Sequence, residues 1–60
     1  MDKILLDMMN DAITRFGKDG IEFLVRFRGA TPDILVSTSD TDIALYEFKN
    51  GDIIVHTYYD

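Results

Sequence analysis

Ile43-Ala44-Leu45-Tyr46-Glu47-Phe48-Lys49-Asn50-Gly51-Asp52-Ile53-Ile54-Val55-His56-Thr57-Tyr58-Tyr59 reads as two strand-like runs with a two-residue joint between them. Branched and aromatic residues dominate both runs, as a pleated, half-buried surface requires. Asn50-Gly51 is the strongest local signal in the chain. A type I′ turn needs φ > 0 at both central residues, and this pair tolerates it. The resulting hairpin pairs Lys49 with Asp52, Phe48 with Ile53, Tyr46 with Val55 and Leu45 with His56, with Glu47 diagonal to His56.

Upstream of the hairpin, Ser39-Asp40-Thr41-Asp42 is a loop by composition, because each side chain can bond its own backbone in a turn. Asp33 to Thr38 forms the strand before it, and Gly29-Ala30-Thr31-Pro32 supplies the preceding turn, with Pro32 suited to a strand start or an edge. Ile21, Phe23, Val25 and Phe27 alternate with Glu22, Leu24, Arg26 and Arg28, which gives a further strand with one buried side.

Before the Lys18-Asp19-Gly20 turn the period changes from two to that of a helix. Ile4, Leu5, Met8, Met9, Ala12, Ile13 and Phe16 fall within one half of a helical wheel, and Leu6 does not. Asp2 is placed to cap this helix and Gly17 to stop it. Met8 and Met9 read as core filler. The fold class expected is therefore α+β: one amphipathic helix packed on a four-stranded antiparallel meander, as a single domain over residues 1–60.

Loop lengths decide which side chains meet the helix. Two loops of four residues place Arg28 opposite Asp33 and Thr38 opposite Ile43. One sheet face then collects Ile21, Phe23, Val25, Phe27, Ile34, Val36, Ile43, Leu45, Ile54 and Tyr58 as the seat of the helix. The other carries Glu22, Arg26, Arg28, Asp33 and Ser37, together with Leu35, Tyr46, Phe48, Ile53, Val55 and Tyr59. Four strands about 4.8 Å apart make a sheet roughly 14 Å across, and a helix about 10 Å wide covers only one face. Leu35, Tyr46, Phe48, Ile53, Val55 and Tyr59 are thus the expected interaction surface. The expected occupant is a second copy of the chain or another protein.

Sixty residues bury only about 60% of the unfolded chain's surface, and with no Cys and one His neither a disulfide nor a structural zinc supplements the core. That favours a homodimer. Residues 1–30 hold five acids and five bases, whereas residues 31–60 hold six acids against Lys49 alone, so the formal charge of −5 lies in the second half. Charge of this sign argues against direct nucleic-acid binding and suits a protein partner with a basic surface, to which Asp40 and Asp42 are the acidic groups offered.

No catalytic constellation is visible: His56 with Glu47 lacks a converging nucleophile, and Asp40 with Asp42 falls short of a calcium loop. Neither cofactor nor metal is expected. Asp7 and Asp11 interrupt the N-terminal apolar stretch, which makes it neither a signal core nor a membrane span, so the chain is expected in the cytoplasm.

The segment Asp52-Ile53-Ile54-Val55-His56-Thr57-Tyr58-Tyr59-Asp60 resembles a strand of the phage uracil-DNA glycosylase inhibitors, small acidic DNA mimics that occupy the enzyme's DNA-binding cleft. The resemblance covers nine residues of sixty. A second acidic helix is lacking, so no residue role transfers. The expected function is a small, acidic, non-enzymatic protein-binding module, in the manner of a phage-encoded inhibitor of a host defence or DNA-processing protein. A regulatory nucleic-acid binder, whose dimer groups Arg26 and Arg28, and a structural or assembly subunit are the alternatives.

Overall fold

A computed structural model describes residues 2–17, 20–39 and 42–58. Helix α1 (Lys3–Phe16) is followed by strands β1 (Glu22–Arg28), β2 (Thr31–Ser37), β3 (Ile43–Lys49) and β4 (Asp52–Tyr58). The strands form one antiparallel sheet in sequence order, the α-β-β-β-β arrangement expected.

The helix begins where the sequence places its cap. Asp2 Oδ1 accepts from the backbone N–H of Ile4 at 2.8 Å and of Leu5 at 3.5 Å, which satisfies two of the donors a helix start leaves free. At the other end Gly17, with φ +85°, donates its N–H to Ile13 O at 2.9 Å. Leu5, Met8 and Ala12 are buried against Ile34, Val36, Ala44 and Tyr46, with Ile4, Met9 and Phe16 packed around them. Leu6, off the apolar stripe, is exposed.

Asn50 (φ 54°) and Gly51 (φ 85°) form the turn between β3 and β4, and Lys49↔Asp52, Phe48↔Ile53, Tyr46↔Val55 and Leu45↔His56 pair as the hairpin reading requires. The first hairpin is tighter than expected. Its loop is Gly29-Ala30, with φ +63° at Gly29 alone as a type II′ turn needs, so Arg28 meets Thr31 and Arg26 meets Asp33. Pro32 therefore lies inside an inner strand. It is tolerated there because the β2–β3 ladder ends at Asp33↔Glu47, and no bond is asked of the missing N–H.

The second loop corrects the assignment of faces. Thr38 N–H donates to Asp42 O at 3.0 Å, leaving three residues, 39–41, between them instead of four. Ser37 consequently pairs with Ile43 and Ile34 with Tyr46. Because side chains alternate, this one-residue difference turns over every residue of β3 and β4. Ala44, Tyr46, Phe48, Ile53 and Val55 lie on the helix side. Ile43, Leu45, Ile54 and Tyr58, expected beneath the helix, lie on the open side with Leu24 and Leu35. Gly20 (φ +73°) enters β1 beside this loop, where a Cβ would stand 2.6 Å from Ser39 Oγ.

Candidate functional site

The open face is a grid of three cross-strand rows. Glu22, Ser37, Ile43 and Tyr58 form the first, Leu24, Leu35, Leu45 and His56 the second, and Arg26, Asp33, Glu47 and Ile54 the third. Leu24 is 65% exposed, Tyr58 54%, Leu35 39% and Ile43 37%. Leu24, Arg26, Asp33, Leu35 and Leu45 surround an open depression of about 210 Å³. No element covers it among the described residues.

A charged cluster borders the depression. Asp33, whose side chain is 2% exposed, accepts at Oδ1 from Arg28 Nη2 (3.2 Å), while its Oδ2 stands 3.0 Å from Arg28 Nε and 3.7 Å from Arg26 Nη2. That second oxygen has no aligned hydrogen-bond donor. Arg28 Nη2 also reaches Glu47 Oε2 at 3.5 Å, and Glu47 Oε1 lies 2.8 Å from His56 Nε2. The diagonal Glu47–His56 contact expected from the hairpin is thus present. Two guanidiniums face two carboxylates here, so the cluster is balanced in charge, and its arginine heads remain more than half exposed.

No protein-family model, no curated protein and no solved structure matches this chain.

Of the described residues expected to form the interaction surface, only Leu35 is found on the open face. Tyr46 is fully buried under α1 and donates its hydroxyl to Asp11 Oδ2 at 2.6 Å, while Phe48 and Val55 pack half-buried against the core. Ile53 is exposed on the helix side, beyond the reach of the helix. Asp42 is half-buried, its carbonyl holding Thr38. Asp40 and Tyr59 lie outside the described residues.

Ile43, Leu45, Ile54 and Tyr58 are the apolar members of the open face that were expected beneath the helix, and they join Leu24, whose face was read from the alternation of β1. A signal for them existed. Glu47 and Lys49 share the phase of Ile43 and Leu45, and seating that phase beneath a helix would have buried two charges, whereas the opposite phase offers Ala44, Tyr46 and Phe48 to the core.

Among the described residues no group of three or more His, Cys, Asp or Glu side chains could hold a metal ion, and no helix is long and apolar enough to cross a membrane.

Proposed function

We propose that the chain is a small, non-enzymatic protein-binding module of the cytoplasm, that it works as a homodimer, and that the open sheet face docks another protein. One observation carries the reading: Leu24, Leu35, Ile43 and Tyr58 stand exposed on one uncovered face beside a charge cluster already balanced within itself. Such a cluster can be covered without stranding a net charge, and it fixes orientation, while the leucine row supplies the area whose removal from water drives association. The fitting partner is a protein surface with an apolar side chain for the depression between Leu24 and Leu45 and acceptors for the outer Arg26 and Arg28 N–H groups.

The net negative charge lies elsewhere. By formal charge the helix sums to zero and the four strands to −1, so most of the −5 falls on acids outside these elements, Asp40, Asp42 and Asp60 among them. A net negative charge of this size would speed encounter with a basic protein. An inhibitor of a host protein and an assembly subunit both use such a face, and the acidic balance and the resemblance of residues 52–60 favour the inhibitor. Arg28 is paired with Asp33 and Glu47, and Arg26 lies 3.7 Å from Asp33, which argues against the nucleic-acid alternative.

The test is capture of partners from the cells of origin with the wild-type chain and a Leu35→Lys variant in parallel, both shown folded by circular dichroism. A protein retained by the first and lost by the second supports the reading. Identical recoveries from both would remove it.

A further inference from the structure

β1 is an outer strand of the sheet, seven residues long, without proline, glycine or bulge, and only Phe23 along it is even half-buried. Apolar side chains stand on both of its sides, although Glu22, Arg26 and Arg28 share the open face with Leu24. Leu24 on the open face and Val25 and Phe27 on the helix side are all exposed, the last at 54%, because α1 packs chiefly over β2. An unbulged edge with exposed apolar side chains is a template for another strand, and its charges blunt it only against a partner that does not complement them.

We infer that β1 pairs with β1 of a second copy, antiparallel and with the two-fold axis at Val25, to give one continuous eight-stranded sheet. Charge complementarity selects the occupant and the register. With Val25 on the axis, Glu22 stands opposite Arg28 at both ends, Phe23 opposite Phe27, and Leu24 opposite Arg26, whose aliphatic stem covers it. All seven residues are paired and no like charges meet. Moving the axis to Arg26 sets the two Arg26 side chains against each other, and moving it to Leu24 leaves Arg28 facing Gly20. Strand β4, the other edge, offers no such match: an axis at Val55 opposes Asp52 to Tyr58 and Ile54 to His56.

The backbone agrees. In a two-residue hairpin the pair flanking the loop is hydrogen-bonded, which here is Arg28 with Thr31. By alternation Phe23, Val25 and Phe27 turn their N–H and C=O groups outward, and the Val25 axis sets these residues opposite one another as hydrogen-bonded pairs. Both helices then lie on one side of the sheet. The two leucine rows flank the axis on the other, so the proposed docking face is doubled.

This inference rests on the homodimer part of the reading above and not on the docking of a third protein. An interface of one strand pair is smaller than the ~800 Å² per partner of a standard complex, so a dissociation constant on the order of micromolar is expected.

Sedimentation equilibrium across concentrations bracketing that value tests it on four chains. Wild type is expected to pass from monomer to dimer. Glu22→Arg turns two attractions into two repulsions and weakens the dimer at least about tenfold. Val25→Pro removes a donor that β1–β2 pairing does not use and abolishes dimerisation, with helical circular dichroism retained. Leu35→Lys, on the open face, leaves the dimer intact. A wild-type chain that stays monomeric overturns the inference and the homodimer reading together. A dimer that survives Glu22→Arg and is lost with Leu35→Lys overturns edge pairing alone, and Glu22→Arg decides should Val25→Pro fail to fold.

Discussion

Tyr46 Oη and Asp11 Oδ2, 35 positions apart in sequence, meet at 2.6 Å, and this bond ties the middle of β3 to the solvent edge of α1. Tyr46 is fully buried, while Asp11 is shared with Arg15 Nε at 3.3 Å. The phenol thus completes the core and donates its proton to an anion already held by a cation. Deprotonation would bury one negative charge beside another.

A specific alkaline transition follows. Burial first, and then the bond to Asp11, push the Tyr46 hydroxyl up from its ordinary value near 10 to about 12. A raised pKa in the folded state means that the neutral phenol stabilises the fold below the unfolded value. That contribution is lost as pH climbs from about 10 through about 12. Relative to Tyr46→Phe, the wild type should lose about 2 kcal/mol of stability across this window, measured by urea unfolding at stepped pH. Equal pH dependence in the two chains would refute it.

The Arg28–Asp33 pair should be asymmetric under mutation. Arg28→Met leaves the buried Asp33 carboxylate with only the distant Arg26, at 3.7 Å, and an uncompensated buried charge costs about 3 kcal/mol. Asp33→Asn leaves guanidiniums that can turn to water, since the Arg26 and Arg28 side chains are more than half exposed. It should cost less than half as much. Arg26→Met should change stability by under about 1 kcal/mol. Chemical denaturation of the three variants orders them.

The helix and the last hairpin were legible because each is encoded locally: Leu5, Met8 and Ala12 recur at helical spacing, and Asn50-Gly51 permits one turn type and hence one register. The faces of β3 and β4 were not, because Ser39, Asp40, Thr41 and Asp42 are all good turn formers. Nothing in their chemistry says whether the loop closes at Asp42 or one residue later. Tertiary packing made that choice. Setting Ala44 and Tyr46 beneath α1 gives the helix room to approach and gives the tyrosine hydroxyl its acceptor in Asp11. The Gly29-Ala30 turn is hidden for a related reason, as Thr31 and Pro32 look like turn residues yet continue the strand on its β1 side, where the β2–β3 ladder has already ended.

Met8 and Leu6 offer a direct comparison of two apolar residues on one helix. Met8 is fully buried at the centre of the core, and Met8→Ala should cost about 3 kcal/mol through lost transfer energy and the cavity left behind. In a domain this small that is most of the stability available. Leu6 is 43% exposed, and Leu6→Ala should stay within about 1 kcal/mol. Thermal melts followed at 222 nm distinguish the two, and comparable losses would contradict the packing of α1.

At the β3–β4 turn the cost should come from the backbone alone. Gly51 sits at φ 85°, and a Cβ there would meet nothing within 4 Å, so Gly51→Ala adds no clash. It still forces a side chain into the left-handed region, at about 1–2 kcal/mol. Asn50, at φ 54°, is the one non-glycine residue with positive φ among those described, and Asn50→Gly relieves it at little cost because a type I′ turn accepts glycine at either position. Asn50→Val should be worse than Gly51→Ala, since a branched side chain is the least tolerant of that conformation. Urea titrations of the three variants should rank Asn50→Gly nearest to wild type and Asn50→Val farthest. A Gly51→Ala chain as stable as wild type would mean that the hairpin turns by another geometry, and the Lys49↔Asp52 register, with the side-chain phase of β4 that depends on it, would have to be redrawn.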